Sequence, residues 1–201
     1  MGLDVTLCQF RSLDVEAILS FSQFSSEPWA FEPGAGVRLK AGARERGLPE
    51  SIITEPYFGG ERISFPSKKH PTWPPVGDWS SFGTTREFIE FFTSKDFYFV
   101  FPEAKGDPAY LKPDWLASKQ RLVEILDELS ELRPAQIELF FERFVKPNIP
   151  PYLLEKVPPA QRATASELFS GHIAQIEVMI ETLDYVLNHK RPQEFLLRWS
   201  I

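Results

Sequence analysis

Proton transfer at neutral pH needs a titratable side chain with a partner close enough to tune it. One stretch of this chain concentrates such groups: Glu61 and Arg62, then Lys68, Lys69 and His70, then Asp78. Histidine ionises near neutrality, so it can carry a proton to or from a reacting group, and a carboxylate within hydrogen-bond reach orients it. If Glu61, His70 and Asp78 met in one pocket, with Arg62 beside them to hold an anion, the set would suit a small hydrolase or nuclease-like enzyme. No phosphate-loop, dinucleotide or nucleophile-elbow spacing occurs, and neither a metal nor a cofactor is expected.

The same stretch is aromatic and stiffened by proline, with Tyr57 and Phe58 before a Gly-Gly pair and Trp73 and Trp79 around Pro74 and Pro75. The whole chain shares the bias, holding 18 Phe, 5 Trp and 5 Tyr. Large aromatics and arginine dominate the energetics of protein interfaces, which makes Tyr57, Phe58, Arg62, Trp73 and Trp79 the candidate binding residues. Aromatics interleaved with cations also suit single-stranded nucleic acid, and Trp29 and Phe31 lie near Arg38, Lys40, Arg44 and Arg46. The charge argues against that use. Lys plus Arg number 22 against 28 Asp plus Glu, a net −6, and residues 1–113 and 114–201 each carry three more acids than bases. A dedicated polyanion-binding domain should be basic, so a protein partner is expected and nucleic acid is not.

Chain periodicity supplies the elements that would hold these residues. Residues 3–8 alternate apolar and polar, which predicts a strand. Ser12 can cap a helix over 13–24, and Thr84 with Glu87 forms a capping box for one over 84–94. Residues 51–54, 62–65 and the aromatic run 96–101 read as further strands, the last as a central one. Between Ser25 and Pro56 the pattern dissolves into Gly, Pro and charge, as in a long loop or a poorly marked helix. From Asp114 onward the chain reads as helical, through 114–132, a helix opened by Pro134, and a long helix from about Pro159 to Asn188 with a candidate break at Gly171. The tail 195–201 fits either a strand or an amphipathic turn.

On the long helix Phe169, His172, Ile176, Met179 and Leu183 alternate by three and four, a heptad seam. It fits an intramolecular bundle core, and alternatively a homodimer interface through 165–186. His172 on that seam reads as a hydrogen-bonded core histidine, His189 as a group at the helix C-terminus where positive charge is favoured, and Cys8 as buried packing.

The opening Met1-Gly2-Leu3-Asp4 and the stretch Phe65-Pro66-Ser67-Lys68-Lys69, leading to Val76-Gly77-Asp78-Trp79, resemble a loose group of uncharacterised bacterial and phage proteins. That group shares a Met-Gly-Leu-Asp start and an internal Pro-Ser-Lys-Lys followed by a Gly-aromatic element. The resemblance implies a prokaryotic or phage origin and carries no activity with it. A single cysteine and the lack of a basic-then-apolar leader or a long apolar run fit a cytoplasmic protein with no membrane span. The expected fold is α+β, a single domain spanning 1–201, with a small sheet and helices in a loop-rich region over 1–113 and a mainly helical region over 114–201. The expected function is a protein-binding module, an inhibitor, immunity or accessory factor; the hydrolase is the alternative.

Overall fold

The computed structural model describes residues 4–53, 60–72, 76–79, 82–106, 108–149, 156 and 164–200. Strand β1 (Asp4–Gln9) is the alternating N-terminal segment. Helix α1 (Val15–Ser25) follows, capped by the Asp14 carboxylate accepting from the Glu16 N–H rather than by Ser12. After a 3₁₀ turn (Pro28–Phe31) comes α2 (Ala35–Glu45), then a second 3₁₀ turn (Glu50–Ile53). Two short strands, β2 (Glu61–Arg62) and β3 (Asp78–Trp79), precede α3 (Phe82–Thr93), α4 (Phe97–Val100) and β4 (Tyr110–Leu111). The rest is α5 (Trp115–Ser130), α6 (Pro134–Phe140) with a π-helical turn (Phe141–Val145), α7 (Ala165–Leu187) and β5 (Phe195–Ser200). The class is α+β, with a small antiparallel sheet and a mainly helical C-terminal half.

The sheet runs β2-β1-β5-β4, with β3 also on β1. The C-terminal strand is thus central. It pairs with β1 along six positions, from Asp4 opposite Ser200 to Gln9 opposite Phe195, and with β4 through Leu111 opposite Leu197. Phe195, Leu196 and Leu197 are consecutive and all fully buried, because both faces of the sheet are covered. Val5, Leu7, Leu111, Phe195 and Leu197 face α3, α4, α5 and α7. Cys8, Phe10, Tyr110 and Leu196 face α1 and α2.

Several expectations are corrected. The aromatic run 96–101 is not a strand: the Asp96 carboxylate accepts from the Phe99 N–H and starts α4, which turns Phe97 and Val100 inward together. A local cap outweighs β-propensity there. The expected strand 51–54 is a 3₁₀ turn, closed by the Ile52 N–H on the Pro49 carbonyl. The stretch 25–56, left between a loop and a poorly marked helix, holds the helix α2. Helix α3 begins at Phe82, so Thr84 lies inside it and does not cap it. Helix α7 begins at a capping box made by Thr164 with Glu167, and it passes Gly171 unbroken. Its seam is used internally, with Ile176, Met179 and Leu183 fully buried in the chain's own core and Phe169 and His172 packed on Phe88.

Candidate functional site

His70 sits where a loop between β2 and β3 is pinned to α7. Pairing of β1 with both short strands sets the ends of that loop: the Ile63 N–H donates to the Leu7 carbonyl, and the Leu7 N–H to the Gly77 carbonyl. Phe65 and Val76 then form a bridge. Gly77 is required twice over, because its φ is +100° and a Cβ would overlap the Ile63 carbonyl oxygen. Beyond the bridge, two carboxylates one helical turn apart on α7 take hold of four consecutive residues. Glu181 accepts from the Ser67 hydroxyl (3.0 Å) and from the N–H groups of Lys68 and Lys69 (2.9 Å each). Glu177 accepts from Lys69 Nζ (3.0 Å) and meets His70 Nε2 at 2.5 Å. The Ser67 oxygen in turn accepts from the His70 N–H. Partial burial pushes both carboxyls up, and these donors outweigh it, holding both below the ordinary carboxylate range.

His70 thus meets a carboxylate, Glu177, that its sequence neighbourhood did not offer. Glu61 pairs with Arg11 at 3.3 Å, at the far end of β1. Asp78 is placed opposite Thr6 and Glu61 opposite Gln9, register positions on opposite faces of the sheet. Arg62 is an exposed residue of β2, opposite Cys8. Trp79 stands opposite Val5 in β3, while Tyr57, Phe58 and Trp73 lie outside the described residues. Glu177 and Glu181 escaped notice because they are more than 100 residues away in sequence; their spacing of four on one helix face was the available signal. No group of three or more His, Cys, Asp or Glu residues able to hold a metal occurs among the described residues. The clasp can orient the His70 imidazole, and the hydroxyl beside it, Ser67, is already engaged by Glu181 and the His70 N–H.

A second polar cluster lies inside. Thr85, fully buried on α3, donates to Gln175 Oε1, so its oxygen accepts from His172 Nδ1 at 2.9 Å. The imidazole stacks on Phe88 with centroids 4.6 Å apart, and burial pushes its pKa down to about 4. His172 is a neutral core histidine at neutral pH. Cys8 is buried as expected, its thiol pushed up to about 12 by burial against the opposing pull of Arg198 and Arg62.

One described surface that stays open to another molecule is built by the first 3₁₀ turn and α2. Phe31 is 81% exposed and Val37 80% exposed. Phe31 stands at the edge of a cleft of about 240 Å³, lined by Phe21, Leu39, Ile53 and Tyr110 among others. The Ser22 hydroxyl in its wall accepts from the Tyr110 N–H, which leaves the lining mainly apolar. Gly42 shapes this corner, since any Cβ there would collide with the Phe24 ring, and that ring packs against Trp29 with centroids 4.8 Å apart. Arg38 then lies on Trp29, its guanidinium 3.8 Å from the ring centroid, while Arg46 covers Phe24. Exposed phenylalanines also occur at Phe91 and Phe144, but these are stacked on Phe140 and each other.

Compared with protein-family models, curated proteins and solved structures, the chain matches none. Among the described residues no helix is long and apolar enough to cross a membrane.

Proposed function

We propose that the protein is a binding module for another protein, of the inhibitor, immunity or accessory kind, and that the face carrying Trp29, Phe31, Val37 and Arg38 is its contact surface. The observation that carries the reading is Phe31, a large apolar side chain held almost wholly in solvent by a proline-started turn at the edge of an apolar cleft. Keeping such a group in water forgoes about 1.5–3 kcal/mol of burial, a cost that binding recovers. The cleft is smaller than the ~300–1,000 Å³ usual for whole small-molecule ligands, and it suits a single anchoring side chain from a protein.

Nucleic acid fits this face less well. Among the described residues Lys40 and Arg44 are paired with Glu50 and Arg46 is held on Phe24, which leaves the single cation Arg38 rather than a cationic track along the aromatics. The hydrolase alternative would rest on His70 with Glu177. Against it, the clasp ties Ser67, Lys68, Lys69 and His70 together onto α7 as a structural joint.

Native mass spectrometry of protein recovered gently from its source's lysate, run in parallel on wild type, Phe31→Ser and Phe144→Ser, tests the reading. A stoichiometric partner present in wild type and Phe144→Ser and absent from Phe31→Ser, with melting temperatures unchanged, supports it. A partner retained by Phe31→Ser retires this surface.

A further inference from the structure

We infer that the segment recognised by this face is acidic: a peptide stretch that places an apolar side chain in the cleft beside Phe31 and a carboxylate on Arg38. The inference rests on the binding-module reading above and names the chemistry of its partner.

Among the described residues Arg38 is the cation of α2 that forms no ion pair. Lys40 and Arg44 share Glu50, the latter at 2.5 Å, and Arg46 donates to Ser20 Oγ and to the Gly42 carbonyl. Among the described residues Arg38 has no carboxylate partner; what it has is the indole of Trp29 beneath it and the Phe24 ring at 5.9 Å. Stacking fixes a guanidinium in plane without using its N–H donors, which are left at the edges in the fork geometry that matches a carboxylate. A pre-oriented fork loses little side-chain entropy on binding, which is the usual cost of engaging an arginine at a surface.

The stack belongs to the elements that build the cleft. Trp29 directly precedes Ala30 and Phe31, and Arg38 sits between Val37 and Leu39; Ala30, Phe31 and Leu39 line the cleft. The apolar anchor and the ionic contact are thus offered by neighbouring residues of the same two elements. The charge around it is balanced, with four bases and four acids over residues 27–50 and Glu50 taken by Lys40 and Arg44, so the positive charge offered to a partner is that of Arg38 itself. An exposed guanidinium without an ion pair favours a carboxylate on the partner.

A selection of random 12-residue displayed peptides on the full chain supplies the probe. Enriched peptides should pair an aliphatic or aromatic residue with Asp or Glu within a turn. The best peptide, labelled for fluorescence anisotropy, is then compared with its Glu→Gln form on wild type, Arg38→Gln and Phe31→Ser. On wild type the Gln form should bind about tenfold more weakly, a difference of about 1.4 kcal/mol, and on Arg38→Gln the two forms should bind alike. Peptides that bind with no such difference, or a difference that survives in Arg38→Gln, overturn the carboxylate assignment while loss in Phe31→Ser still upholds the parent reading. Unchanged binding to Phe31→Ser, or no enrichment at all, overturns both. Arg38-dependent binding of oligo-dT in place of peptide would overturn the assignment in favour of a phosphate backbone.

Discussion

An imidazole stacked on a phenylalanine and hydrogen-bonded through one nitrogen to a fully buried threonine is committed to its neutral form. His172 stacks on Phe88 and meets Thr85 in this way, and burial lowers its pKa from the ordinary 6.5 to about 4. The sign of the consequence follows from proton binding. Between pH 6.5 and about 4, the unfolded chain takes up a proton at this site and the folded chain does not, so stability falls as the pH falls, by up to about 3 kcal/mol, and this contribution is flat below pH 4. His172→Phe keeps a ring on Phe88 and removes the proton. Urea midpoints measured at pH 7, 5.5 and 4.5 should therefore decline more shallowly in the variant than in wild type. Parallel profiles would mean that other groups set the slope.

Glu177 and Glu181 act at the next scale, where they join a loop to a helix. Their carboxyls are held low by the loop's donors, so the clasp is at full strength above the ordinary carboxylate range and loosens as the pH drops through and below it. Glu181→Ala leaves the Lys68 and Lys69 N–H groups and the Ser67 hydroxyl without their shared acceptor. A loss of about 1–3 kcal/mol in urea unfolding is expected, with faster amide exchange confined first to residues 67–70. Unaltered exchange there would show that the loop is held by the Phe65–Val76 bridge instead. Such joints explain why elements were unevenly legible in the sequence. Helix α5 and strand β1 carry their pattern on their own surface, Leu122, Ile125 and Leu129 at helical spacing and Val5 and Leu7 at strand spacing. Helix α2 has a face of glycine and alanine, because Gly42 and Ala43 are buried where bulk would not fit, and small residues give no apolar rhythm. Strand β4 is two residues long and exists only because β5 is there to pair with it. The candidate site failed to show for the same reason: Glu181 meets Ser67 through the fold, not through spacing.

At the scale of the whole molecule, β5 joins the two layers. It gives Leu197 to the cluster packed on α5 and α7 and Leu196 to the cluster packed on α1 and α2, from adjacent residues on opposite faces. Each side chain is fully buried, so truncation to alanine removes packing on one layer only. The strand itself is shared, however, and its hydrogen bonds to β1 and β4 cannot be lost by one layer alone. Leu196→Ala and Leu197→Ala are each expected to cost about 2–5 kcal/mol. The more telling outcome concerns which amides respond. If the central strand couples the layers, Leu196→Ala, made on the α1 side, should raise global-unfolding exchange equally at Ile18 in α1 and Leu122 in α5, and Leu197→Ala should do the same from the other face. Exchange that rises only on the mutated side would mean that the two layers unfold separately and that β5 is a border between them rather than a joint. In that case the face built by Trp29, Phe31 and Arg38 on the α1–α2 layer could open without disturbing the helical half.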